Sequence, residues 1–158
     1  MKVTTVPITV IGSAAFLGVM LAIGLGLVPF FYLAEQSAFE DWFAEYFVFL
    51  LPAVFITSVP ALIGSITLMR RSTKGSQERR RWRNTMLGLA SVYGVTTAVH
   101  LPLNIAFWSR ELTESAFVTS LGLWTVAHIL RIAGGGFAAY SAFHASQLPN
   151  GQPTGNGR

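Results

Sequence analysis

Two short stretches carry the side chains in this sequence that are best suited to chemistry. The first is HLPLNIAFW at residues 100–108, with His100, Asn104 and Trp108; the second is WTVAHILR at residues 124–131, with Trp124, His128 and Arg131. Both lie in apolar surroundings, where a charged or strongly polar side chain is costly and marks a functional position that needs a partner. Arg131 is the sharpest case, because a guanidinium keeps its charge and no Asp or Glu lies in its apolar segment. It calls for carbonyls, water, acids from a neighbouring loop, or an anionic or enolate-like ligand.

Spacing groups these residues further. Positions four apart, or four and three apart, share one face of a helix. His100, Asn104 and Trp108 therefore form one stripe, and Trp124, His128 and Arg131 form another. A short linker makes the two helices antiparallel neighbours, so the stripes can face each other around a pocket built from the third and fourth helices. At about 1.5 Å per residue, His128 falls near mid-bilayer, His100 and Asn104 in the outer half, and Arg131 a little past the middle. The bland alternative for each residue alone is a hydrogen-bonded packing histidine, or an interfacial anchor in the case of Trp108.

The elements that must hold these stripes follow from composition. The 158-residue chain is 52% hydrophobic and only 11% charged, with mean hydropathy +0.52, whereas soluble domains are about 25% charged. Four segments, about 6–33, 46–69, 84–109 and 116–143, are long enough to span a bilayer, which takes about 20 apolar residues. Only the fourth contains a charge, Arg131. The sequence thus predicts an all-α, integral membrane four-helix bundle over residues 1–145, followed by a disordered polar tail, 146–158. Gly24, Gly26, Pro29, Pro52, Pro60 and Pro102 are placed to loosen the helices. A cleaved signal peptide is the alternative for the first span, which runs longer than the usual h-region.

The net charge of +4 is distributed by loop. Seven of the eleven basic residues lie between Arg70 and Arg83, and Glu35, Glu40, Asp41 and Glu45 lie between the first two spans. Under the positive-inside rule the basic loop and both termini are cytoplasmic in a multi-pass protein of the cell membrane. That placement argues for bilayer contact and against nucleic acid as a partner.

Other chemistries lack their parts. With no cysteine there is no disulfide, thiolate nucleophile or sulfur-ligated zinc. There is no intramembrane carboxylate pair and no HExxH; Gly134, Gly135 and Gly136 lie inside the fourth span, where they serve close helix packing. Two histidines on adjacent helices leave haem through His100 and His128 as a minor alternative to a cofactor-free site. A divalent metal is poorly served by a carboxylate-free site beside a fixed cation.

His-x-Pro-x-Asn at 100–104 and Trp-x-x-x-His-x-x-Arg at 124–131 resemble the anthrone-oxygenase-like family of small four-helix membrane proteins. The likeness covers the second half of the chain, and the first half matches in hydropathy only. Fungal relatives in that family oxidise anthrones to anthraquinones without an obvious cofactor. The resemblance implies a hydrophobic, polyketide-like aromatic substrate. It gives His100 or His128 the role of general base, Arg131 and Asn104 the stabilisation of a phenolate or enolate oxygen, and Trp124 (with Trp108) contact with the ring system. A cofactor-free cyclase or isomerase could use the same groups. A non-enzymatic small-molecule-binding or transport helper is the further alternative.

Overall fold

In a computed structural model, described here over residues 2–148, the chain is all-helical. Four rods follow one another: α1 (Thr4–Leu33), α2 (Gln36–Arg71), α3 (Gln77–Ser109) and α4 (Glu114–Ser146). Each is long and apolar enough to cross a membrane. Consecutive helices pack side by side and α1 closes against α4, giving a four-membered ring in cross-section. The expected polar tail falls, from residue 149 onward, outside the described residues.

The linkers are shorter than the charge pattern suggested. Only Ala34 and Glu35 separate α1 from α2, so Glu40, Asp41 and Glu45 ride on the first turns of α2 and not on a loop. The reason is an inward stripe, Phe39, Glu40 and Phe43, which buries this segment against the rest of the bundle. Likewise α2 runs through Arg71 and α3 starts at Gln77, which puts Arg79, Arg80, Arg81 and Arg83 on helix. The turn between them uses Gly75 at φ 80°, and the Ser76 hydroxyl accepts from the Arg79 N–H at 3.1 Å as an N-cap. At the opposite end Thr113 caps α4, and Arg110, whose left-handed φ of 58° ends α3, pairs with Asp41 at 2.8 Å.

Three rods change helical type partway, each just before a proline. π-Helical turns occupy Ile23–Leu27 in α1 and Thr96–His100 in α3, and a 3₁₀ turn occupies Phe47–Leu50 in α2. Proline has no N–H, and its ring clashes with the carbonyl four residues back. Those carbonyls belong to Leu25, Val48 and Ala98, inside the three irregular turns and ahead of Pro29, Pro52 and Pro102. Pro60 lies in uninterrupted α-helix, so it loosens nothing here.

The bundle has an apolar exterior and carries polar groups within a largely apolar core. Thr9, Ser13, Ser58, Ser65, Thr85, His100, His128, Arg131 and Ser141 are buried, while Ile11, Leu25, Leu33, Phe49, Ile56 and Ile63 are exposed. A large continuous apolar exterior is unfavourable in water. The buried hydroxyls of Thr9, Ser13, Ser58, Ser65 and Thr85 donate to carbonyls three or four residues back, which satisfies them within their own helices.

Candidate functional site

The two sequence stripes do meet. The Trp124 indole N–H of α4 donates to Asn104 Oδ1 of α3 at 2.9 Å, leaving the Asn104 amide hydrogens available. The His100 ring stands edge-on to Trp124 at 4.9 Å between centroids, and His128 stacks on Trp124 at 5.1 Å and 12°. His100 and His128 lie 6.2 Å apart. His100 closes the π-turn of α3, a distortion that often accompanies functional sites.

Beside this cluster is a cavity of about 210 Å³. His100, Asn104, Trp124 and Arg131 line it, and so do Tyr93, Thr96 and Thr97 of α3. The expectation that α3 and α4 alone form the pocket is therefore corrected: α2 supplies a wall from Phe47 to Phe55, and α1 adds Phe16 and Ile23. The physical reason is the ring arrangement of the helices, in which a central space touches all four.

Arg131 is 6% exposed and reaches this cavity without an acidic partner. Among the described residues the one ion pair is Arg110–Asp41, at the bundle end, and Arg131 makes no hydrogen bond. Six buried side-chain nitrogen or oxygen atoms lack partners among the described residues; three belong to cavity-lining side chains, both ring nitrogens of His100 and Nε of Arg131, and a fourth is Nδ1 of His128 behind Trp124. The Val95 carbonyl lies near His100 but outside hydrogen-bond geometry. Leaving a buried polar group unmade costs about 1–3 kcal/mol, more for a charge, so their concentration around one cavity is where a ligand would supply what the protein does not.

The two histidines are not equivalent. His128 Nε2 lies 2.9 Å from the Met20 carbonyl of α1. A carbonyl only accepts, so Nε2 carries the hydrogen and orients the ring. His128 does not line the cavity; it backs Trp124. Gly24 of α1 lies beside it, where a Cβ would stand 3.0 Å from Ile132 Cδ1 and in ordinary contact, 3.4 Å, with His128 Nε2. His100, by contrast, faces the cavity with neither nitrogen engaged.

Trp124 packs against both imidazoles, and the Met20 carbonyl holds His128 Nε2. Among the described residues no group of three or more His, Cys, Asp or Glu could hold a metal ion.

Trp108 is placed elsewhere: it is 58% exposed and not part of the cavity. At about 100° per residue, position 108 is rotated about 80° from His100, whereas Phe107 returns to within about 20° and is fully buried. Sequence reasoning missed Tyr93 and Thr96, although at seven and four residues before His100 they extend its stripe by two turns. Tyr93 joins α3 to α2 through a 2.6 Å hydroxyl contact with Ser58. The α2 wall is purely apolar and carried no such signal. Comparison with protein-family models, curated proteins and solved structures gives no match to this chain.

Proposed function

We propose that this chain is a membrane-embedded enzyme acting on a flat, hydrophobic, aromatic small molecule, with anthrone-oxygenase-like chemistry. The four apolar rods and the apolar exterior support insertion, and the basic α2–α3 turn supports a cytoplasmic placement of that turn and of both termini. The observation that carries the reading is the cavity that holds an unpaired guanidinium and an unengaged imidazole together in apolar walls.

In this reading an unprotonated His100 nitrogen takes a proton from the substrate carbon flanked by the aromatic rings. The electron pair moves onto the substrate's carbonyl oxygen, which becomes a phenolate held by Arg131 and the amide hydrogens of Asn104. Fixed charges of this kind act most strongly where water is excluded. The electron-rich carbon then passes its electrons to O₂ and forms a C–O bond, the proton returns from His100 to give a hydroperoxide, and loss of water leaves the quinone. One anthrone and one O₂ thus give one anthraquinone and one water. His128 positions Trp124 and takes no proton.

The test is O₂ uptake and quinone absorbance with anthrone, using the full chain in lipid nanodiscs. Equal consumption of anthrone and O₂, abolished by His100→Gln and retained by His128→Gln, is the expected result. Exchange of the substrate's carbon-bound hydrogen without O₂ uptake would transfer the same groups to an isomerase or cyclase. Binding without any turnover would leave a small-molecule-binding helper, and absence of both sinks the site.

A further inference from the structure

We infer that the ligand of this cavity enters sideways from the bilayer, through the seam between α2 and α3, and that Phe55 and Thr97 at that seam set which ring systems are admitted. The inference rests on the proposed membrane site and goes beyond it. Three independent features of the bundle lead to it.

The cavity has exposed residues along one side only of its lining: Leu51 and Phe55 of α2, and Thr97 of α3. Phe55 is 49% exposed. Residues that both line an internal space and reach the perimeter mark its rim, and these belong to two adjacent helices. The mouth therefore faces outward at mid-helix, where the proposed bilayer lies.

Both ends of the bundle are shut. Toward the α1–α2 and α3–α4 turns, Phe39 sits at the centre of an aromatic plug, edge-on to Phe31 at 4.9 Å and to Phe107 and Phe117 at 5.1 Å. Phe31 in turn contacts Trp124 at 5.8 Å, so the plug rests directly on the cavity. Toward the α2–α3 turn Gly88 of α3 packs on Gly134 and Ala138 of α4, Gly64 of α2 packs on Thr9 of α1, and buried Leu68, Trp82, Ala142 and Ala145 fill the space between the helices. A route from water at either end would require these contacts to open.

Size gives the third argument. The space, about 210 Å³, exceeds the roughly 150 Å³ that takes benzene and falls below the roughly 300 Å³ at which drug-sized pockets begin. One or two fused rings fit inside. A three-ring substrate seats its enolisable portion near His100 and Arg131 and leaves a ring in the mouth, against Phe55 and Thr97.

The chain has no cysteine, so a single introduced thiol can be labelled cleanly. Thr97→Cys is modified with a bulky aromatic maleimide in nanodiscs, with Phe55→Cys as a second mouth position and Ser37→Cys, exposed beside the aromatic plug, as the end-on control. Anthrone binding is followed by the saturable component of stopped-flow tryptophan quenching in a Trp108→Phe background. The label at either mouth position is expected to slow association by about tenfold or more, against little change from the label at 37. Slowing at 37 with none at 97 or 55 would place entry at the water-facing end and overturn this inference while the site stands. No saturable binding to the unlabelled protein would overturn the proposed function and this inference with it.

Discussion

At the end of the bundle that carries the α2–α3 turn, glycines and alanines bring helix backbones together around Leu68 and Trp82; at the other end the helices meet through a cluster of phenylalanines. In the first region a Cβ added at Gly12 would stand 2.9 Å from the Thr57 carbonyl oxygen and 3.1 Å from Ala61 Cβ, and one at Gly64 would run into Thr9 Oγ1. Small residues let backbones approach closely, and in lipid such packing helps drive association. In the second region Phe31, Phe39, Phe43, Phe107 and Phe117 fill the interior. The cavity lies just beneath that cluster, where the aromatic rings give way to His100, Asn104 and Arg131. One region packs backbone to backbone, and the other borders an unfilled space.

This contrast can be broken at several points. The largest expected effect is Phe39→Ala, which removes the ring at the centre of the plug and should cost about 3–5 kcal/mol, read as a drop in thermal or denaturant stability in nanodiscs. A loss below about 1 kcal/mol would mean the plug does not hold its end of the bundle. Arg131→Met comes next, and its signature is divided: turnover of the proposed reaction should fall about 10²–10³-fold, while stability stays level or rises because an unpaired buried charge has gone. Unfolding of this variant would instead make Arg131 a structural clamp.

Adding volume should act oppositely in the two regions. Gly88→Leu, at the tight end, is expected to destabilise by about 1–3 kcal/mol, since the neighbour it meets is backbone. Val54→Phe, on the cavity wall, should stabilise by about 0.5–2 kcal/mol by filling space while abolishing ligand binding. Equal destabilisation by both would erase the distinction. The smallest effect is expected from Gly24→Ala, whose Cβ presses on the movable tip of Ile132 at 3.0 Å and only touches His128. Stability should change by less than about 1 kcal/mol, with turnover retained.

The sequence by itself determined the helical class, the four apolar segments and the two stripes that meet. Four-residue spacing on adjacent antiparallel helices brings His100, Asn104, Trp124 and His128 together, because helical periodicity is local and survives folding. What only the tertiary structure decided concerns choices that spacing leaves open. A strict four-residue step drifts around the helix, so Trp108 leaves the site and Phe107 takes the interior position. The two histidines look alike in sequence, yet the Met20 carbonyl on α1 holds one and leaves the other facing the cavity. The α2 wall carries no polar residue to announce it, and it is found only by how four helices close around a shared space. Helix identity is written in neighbours along the chain; a cavity is written in which neighbours across space fail to touch.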